Sequence, residues 1–304
     1  DYGFCTEWIV ESSIQDIATL RKSLADSGTS LVVAGDQSLA KVHLHTKEPA
    51  SVRKLLEDFG KVISEKIEDM GAQHRDFSGQ VGAGPPGQTA VVAVANGKGL
   101  VQVLKGLGVT TIVEGGQTMN PSTQEILEAI EVSGSEEVIV LPNNGNIVPA
   151  ARQAADLAGN TRVHVIPTTD IIHGIGAMMS FNFEATGEQN SKAMARSMQQ
   201  ISSGEVTTAM RDSVVEGKSV AKGQSIAFAG GSLVASGTLN QALSSLVSFL
   251  VHAEEADVTL YYGLEVTLTQ AEAAVDMLVD LHPTAEIQAV AGGQPHYPYL
   301  ISVE

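Results

Sequence analysis

The feature that most limits how this chain can fold is a change of hydrophobic rhythm on either side of a stretch that builds no packed element. Residues 69–88 are crowded with glycine and contain Pro85-Pro86, a composition that supports neither strand nor helix periodicity and reads as a linker. Before it, short alternating strands and short amphipathic helices follow one another. Residues 6–11 alternate; residues 14–25 carry Ile14, Ile17, Leu20 and Leu24 at helical spacing; residues 30–34 and 39–45 are strands around a Gly35-Asp36 turn. Pro49 opens a helix through Phe59, and residues 62–67 return as a strand. That order, βαββαβ, predicts a ferredoxin-like sheet.

After Thr89 the strands become apolar throughout, as in Ala90-Val91-Val92-Ala93-Val94-Ala95, and alternate with helices near 99–106, 122–132, 147–157 and 170–181. Such strands imply a parallel sheet covered on both faces. A further unit follows: a helix over 188–202, a β-rich stretch over 206–236, then helix 239–254, strand 258–262, helix 270–281, strand 286–291 and a last strand at 300–303. The expected fold class is therefore α/β, divided as 1–70, a linker at 71–88, a parallel subdomain at 89–183 and a second α/β subdomain at 184–304.

Charge and composition exclude several roles. The 304 residues include 35 acidic and 18 basic side chains, a formal charge of −17, which repels nucleic-acid backbones and anionic lipid. No apolar run approaches the roughly 20 residues of a membrane span. One cysteine forms no internal disulfide, and no signal pattern opens the chain, so a reducing cytoplasm is expected. A chain that begins at Asp1 and enters a strand almost at once reads as a segment of something longer.

That cysteine takes part in the sharpest chemical pattern. His43 and His45 are two apart in a strand and share a face. In a βαββαβ sheet the first and third strands are central antiparallel neighbours, so Cys5 falls beside His45, with Glu7 on the same face and Trp8 and Val10 on the other. A thiolate with two imidazoles suits Zn²⁺, leaving a fourth position for Glu7, water or another ligand. A buried thiol with two strand histidines at the surface is the ordinary alternative.

Ligands of open parallel sheets bind beyond the carboxyl ends of the strands. The loops there contain Thr118, Asn120 and Ser122, then Asn143 and Asn144, then Thr168-Thr169-Asp170 leading to His173. Each could also do no more than cap the following helix. Gly97-Lys98-Gly99 lacks the phosphate-loop pattern and no GxGxxG follows a strand. Gly230-Gly231-Ser232 and Gly292-Gly293-Gln294-Pro295 read as turns, His164 as a strand residue and His296 as a loop residue, and no nucleophile elbow occurs.

Taken together, Tyr2-Gly3-Phe4-Cys5-Thr6-Glu7, Val42-His43-Leu44-His45-Thr46, Glu114-Gly115-Gly116-Gln117-Thr118-Met119-Asn120-Pro121-Ser122, Leu141-Pro142-Asn143-Asn144 and Gly292-Gly293-Gln294-Pro295 resemble the ATP-dependent subunit of bacterial fatty acid kinase. That family is also described as dihydroxyacetone-kinase-like. The resemblance implies that residues 1–70 are a middle domain serving dimerisation, with Zn²⁺ on Cys5, His43 and His45. It implies that the remainder is a DegV-like domain engaging a separate fatty-acid-binding carrier. Thr118-Met119-Asn120-Pro121-Ser122 is similar to the Thr-Ser-Gln-Pro-Ser loop of DegV-like proteins with two substitutions, which favours docking the carrier over holding an acyl chain. The helical kinase domain, whose aspartates hold Mg²⁺ and ATP, would precede Asp1. The expectation is thus a non-ATP-binding portion of a phosphotransferase of phospholipid metabolism, inactive alone. The alternatives are a zinc enzyme with Glu7 as general base, or a small-ligand or lipid-binding protein using the 115–122 and 143–146 loops.

Overall fold

The computed structural model describes residues 4–11, 17–35, 39–69, 89–115, 120–253 and 255–304. The expected linker at 71–88 lies outside them. The first unit runs β1 (Phe4–Glu11), α1 (Ile17–Leu24), β2 (Thr29–Gly35), β3 (Leu39–Thr46), α2 (Pro49–Phe59) and β4 (Lys61–Asp69). Its sheet has the order β2-β3-β1-β4 with every neighbouring pair antiparallel, the ferredoxin-like arrangement. Because strand side chains alternate, Trp8, Val10, Val42 and Leu44 all reach one face, where Leu20 and Leu24 of α1 and Val52 and Leu56 of α2 close the core. Pro49 starts α2 where a missing N–H costs nothing.

The second unit alternates β5 (Ala90–Ala95), α3 (Lys98–Gly106), β6 (Thr111–Glu114), α4 (Thr123–Val132), β7 (Glu137–Leu141), α5 (Val148–Leu157), β8 (Arg162–Val165) and α6 (Ile171–Met179), followed by α7 (Gly187–Ser197). Its four strands are parallel in the order β6-β5-β7-β8. Every residue of β5 is buried. Ala90, Val92 and Val94 meet Ile126 and Ile130 of α4 and Ala151 and Ala154 of α5. Val91, Ala93 and Ala95 meet Leu100 and Leu104 of α3 and Met178 of α6. A sheet covered on both faces has no polar alternation to show, hence the continuous apolar run.

The helix expected over 188–202 ends at Ser197; a short 3₁₀ turn, Met198–Gln200, leads into strand β9 (Ser202–Thr208). Ser202-Ser203-Gly204 is weak in a helix. Gly204 makes room for the side chains of Leu246 and Leu250, from which a Cβ there would stand only 2.9 Å. After β9 come β10 (Ser213–Val215), β11 (Lys218–Val220), β12 (Ser225–Ala229), β13 (Ser232–Gly237), α8 (Leu239–Leu250), β14 (Asp257–Tyr262), α9 (Leu268–Leu281), β15 (Glu286–Ala291) and β16 (Tyr299–Val303). The helix expected to reach residue 254 thus stops at Leu250. Six of these strands form a sheet ordered β13-β12-β9-β16-β14-β15, parallel only between β14 and β15. Gly230 and Gly231, at φ 56° and 82°, make the two-residue hairpin turn between β12 and β13, which needs positive φ at both positions.

One face of this sheet packs on α8 and α9, while Tyr261, Val290 and Leu300 enter the same core as Leu100, Leu104 and Met178. The first unit is tied to the last sheet by Arg21. Its guanidinium donates to Asp257 at 2.8 Å and to the Val33 carbonyl at 3.0 Å, and approaches Glu286 at 3.4 Å.

Candidate metal face and strand-end crevice

The register of β1 and β3 pairs Cys5 with His45 and Glu7 with His43. Residues directly opposite in antiparallel strands share a face, and Glu7 and His43 stand on the side away from α1 and α2. The side chains of Cys5 and His45 lie outside the described set, and among the described residues no three His, Cys, Asp or Glu side chains form a metal-holding group. The fit of a metal therefore rests on backbone register and on the chemistry of the donors, a thiolate and two imidazoles two residues apart.

This face is covered, and it is covered by the second unit. His43 is only 1% exposed, and a Cβ built on Gly106, the last residue of α3, would stand 2.0 Å from His43 Cε1. Beside it Lys41 Nζ lies 3.3 Å from the Glu7 carboxylate and donates to the Leu107 carbonyl at 3.4 Å. Lys41 and Lys66 each place their ammonium 5.8 Å from the centroid of Phe183. Burial lowers the Lys41 pKa, and the Glu7 carboxylate partly opposes that. Glu7, the candidate fourth ligand, is thus already engaged in a buried ion pair.

At the carboxyl ends of β7 and β8 two of the expected loops meet. Asn143 has φ 53°; its N–H donates to Thr168 Oγ1 at 2.9 Å and its Nδ2 to the Val94 carbonyl at 2.9 Å. It lies so close over α6 that a Cβ on Gly174 would meet Asn143 Oδ1 at 2.1 Å. Asn144 Oδ1 accepts from the Asn146 N–H at 2.8 Å. Ser122 and Glu125 form a reciprocal capping box on α4. Asn120 is exposed, and Thr118 lies outside the described residues.

His173 has more to do than cap a helix. Asp170 caps α6 by accepting the His173 N–H at 2.9 Å, and its other oxygen lies 2.6 Å from His173 Nδ1 and 2.8 Å from Ser203 Oγ, which donates to it. Hydrogen bonding to Asp170 raises the His173 pKa against the opposing effect of burial. For Asp170, burial pushes upward, but the bonds and charge of His173 and the bonds from Ser203 leave its carboxyl lowered overall. On the same strand, Glu205 is pushed up to about 7, by burial first and by Asp170 second. Tyr297 is also raised, by burial and then by Glu205. Ser203 and Glu205 went unnoticed in the sequence because reading the helix to 202 concealed the period-2 polar stripe of β9.

The glycine turns, whose composition invites a phosphate-binding reading, are locked together instead. A Cβ on Gly97 would meet the backbone of Gln294 and Gly292 at 2.8 Å, and one on Gly99 the Ala291 carbonyl oxygen at 1.7 Å. The Leu100 N–H, at the start of α3, donates to the Gly292 carbonyl at 2.9 Å. The protein's own backbone occupies the position an anion would need.

Family models for the FakA-like C-terminal domain and the FakA-like middle domain of fatty acid kinase match residues 90–304 and 1–77, respectively. Protein YloV of Bacillus subtilis (strain 168) is 35% identical over 318 residues, covering 100% of this chain and 57% of that protein. The chain thus spans a little over half the length of the curated relatives it matches. Among solved structures, a dihydroxyacetone kinase operon co-activator matches 71% of this chain and 82% of its own at TM-score 0.52 and 14% identity. The DegV family protein Cg2579 of Corynebacterium glutamicum matches 71% and 95% at TM-score 0.51 and 15% identity. At such identities the likeness is one of fold.

Proposed function

Because this chain belongs to the FakA-like family of fatty acid kinases, we propose that it is the non-ATP-binding portion of a fatty acid kinase subunit, serving dimerisation and docking of a fatty-acid-binding carrier. The observation that carries this reading is the succession of middle-domain and C-terminal family matches along one chain. In the full-length protein, the reaction is phosphoryl transfer from ATP to the carboxylate of a carrier-bound fatty acid. That step needs Mg²⁺ and in-line positioning, supplied by residues outside these 304.

The strand-end crevice supports docking over acyl capture. Asp170 is held ionised there, Glu205 lies near it, and the start of α3 is occupied by Gly292. The donors that a fatty acid carboxylate or an acyl phosphate would need at this end are already committed, those of His173 and Ser203 to Asp170 and the Leu100 N–H to Gly292. In the same reading Zn²⁺ binds Cys5, His43 and His45 and would cross-link β1 to β3. With Glu7 paired to Lys41, the fourth position falls to water or another ligand. Among the described residues no helix is long and apolar enough to cross a membrane, in keeping with a carrier that delivers its lipid through water.

The test is a binding and turnover experiment on this chain. The carrier should bind, yet ATP and Mg²⁺ should give no acyl phosphate, and native mass spectrometry should find no acyl chain on this protein. Metal analysis of chelator-free protein should find one zinc per chain. Turnover by the chain alone, or failure to bind carrier, refutes the docking reading; absence of zinc refutes the metal reading.

A further inference from the structure

We propose that the metal face of the first sheet and the seating of the C-terminal unit upon it are a single linked device, in which α3 closes over His43 so that metal binding and docking of the two units strengthen each other. The inference rests on the zinc reading above and adds to it a second role, that of joining two parts of the chain.

A ferredoxin-like sheet buries one face under its own helices and leaves the other open. Here the other face is closed by residues more than sixty positions away. Gly106 is the contact that matters. A Cβ there would lie 2.0 Å from Cε1, 2.6 Å from Nε2 and 2.7 Å from Nδ1 of His43, separations no real side chain sustains. Gly106 is not needed for its backbone: its φ lies outside the left-handed region, and a helical glycine costs about 1 kcal/mol relative to alanine. What it provides is room for the imidazole.

The rest of the seam follows the same strand face. Lys41, two residues before His43, donates to the Leu107 carbonyl, and Lys66, opposite Glu7 on β4, joins Lys41 around Phe183. A metal-binding imidazole has its ring orientation set by what packs around it, and misorientation weakens the site. Gly106 would therefore be a positioning residue for His43. Thermodynamic reciprocity then requires that metal on His43 strengthen the seating of α3 by the same factor that α3 strengthens the metal.

The experiment uses the whole chain, stripped of metal and titrated with zinc against a chromophoric chelator. Gly106→Val is expected to bind zinc at least tenfold more weakly than wild type, with Gly106→Ala between them. Hydrogen exchange supplies a readout independent of activity: zinc should slow the amides of residues 98–107 in wild type and leave them unchanged in His43→Ala. If Gly106→Val does not fold, Gly106→Ala and the wild-type exchange measurement decide. Equal zinc affinity in wild type and the Gly106 variants, or exchange at 98–107 that ignores zinc, overturns the linkage while leaving the zinc site standing. A wild-type chain that binds no zinc overturns both.

Discussion

Replacing Glu205 by Gln isolates the electrostatics of the crevice in one atom. The folded protein pushes this carboxyl from 4.5 up to about 7, chiefly by burial and then through Asp170. Between those two values the folded state keeps a proton that the unfolded chain has released, so the unfolded state binds fewer protons and stability falls as pH rises. Above about 7 the loss is complete. At 1.36 kcal/mol per pH unit, the interval corresponds to about 3 kcal/mol. Residual solvent contact of the carboxyl reduces this, so about 1–3 kcal/mol is expected. Glutamine has the shape of the protonated acid and cannot ionise. Glu205→Gln should therefore match wild type near pH 4.5 and exceed its stability by about 1–3 kcal/mol at pH 8. The assay is urea unfolding of both proteins at pH 5, 6, 7 and 8, taking the difference at each pH so that contributions common to both cancel. A difference that does not grow with pH, or a Gln variant less stable at pH 8, would refute the reasoning.

Three further outcomes are expected. The His173 ring should titrate by NMR above its ordinary 6.5 and return toward it in Asp170→Asn; the stabilisation from this pair should be full below pH 6.5 and vanish as pH rises through the raised value. Gly99→Ala would set a Cβ 1.7 Å from the Ala291 oxygen and should cost about 3 kcal/mol or more by thermal denaturation, whereas Gly145→Ala, with nothing within 4 Å of the new atom, should stay within about 0.5 kcal/mol of wild type. Arg21→Met removes the bonds to Asp257 and Val33 and should cost about 1–3 kcal/mol, with faster hydrogen exchange in α1; unchanged exchange would show that Arg21 does not hold the first unit to the last sheet.

Local periodicity carried much of this fold into the sequence. The alternation around Trp8 and Val10, the two histidines on one strand face and the apolar run 90–95 each follow from the geometry of a single strand, and the βαββαβ order was enough to bring Cys5 opposite His45. Helix ends marked by Pro49 and Ser122 were legible for the same reason, since a missing N–H or a capping hydroxyl acts within one turn.

Three features came only from tertiary contacts. Ser202-Ser203-Gly204 is a strand because all three residues pair with β16, and Gly204 with β12 as well. The Asp170–Ser203–Glu205 group exists because Ser203 of that strand reaches Asp170 at the start of α6. The metal face, which alternation alone marks as polar and open, is buried beneath α3 and Phe183, with His43 against Gly106 and Lys41 against Leu107. A strand's sequence determines which side chains share a face, because that is set by the two-residue period of its own backbone. What covers the face is decided by residues far along the chain, and nothing in the strand encodes them.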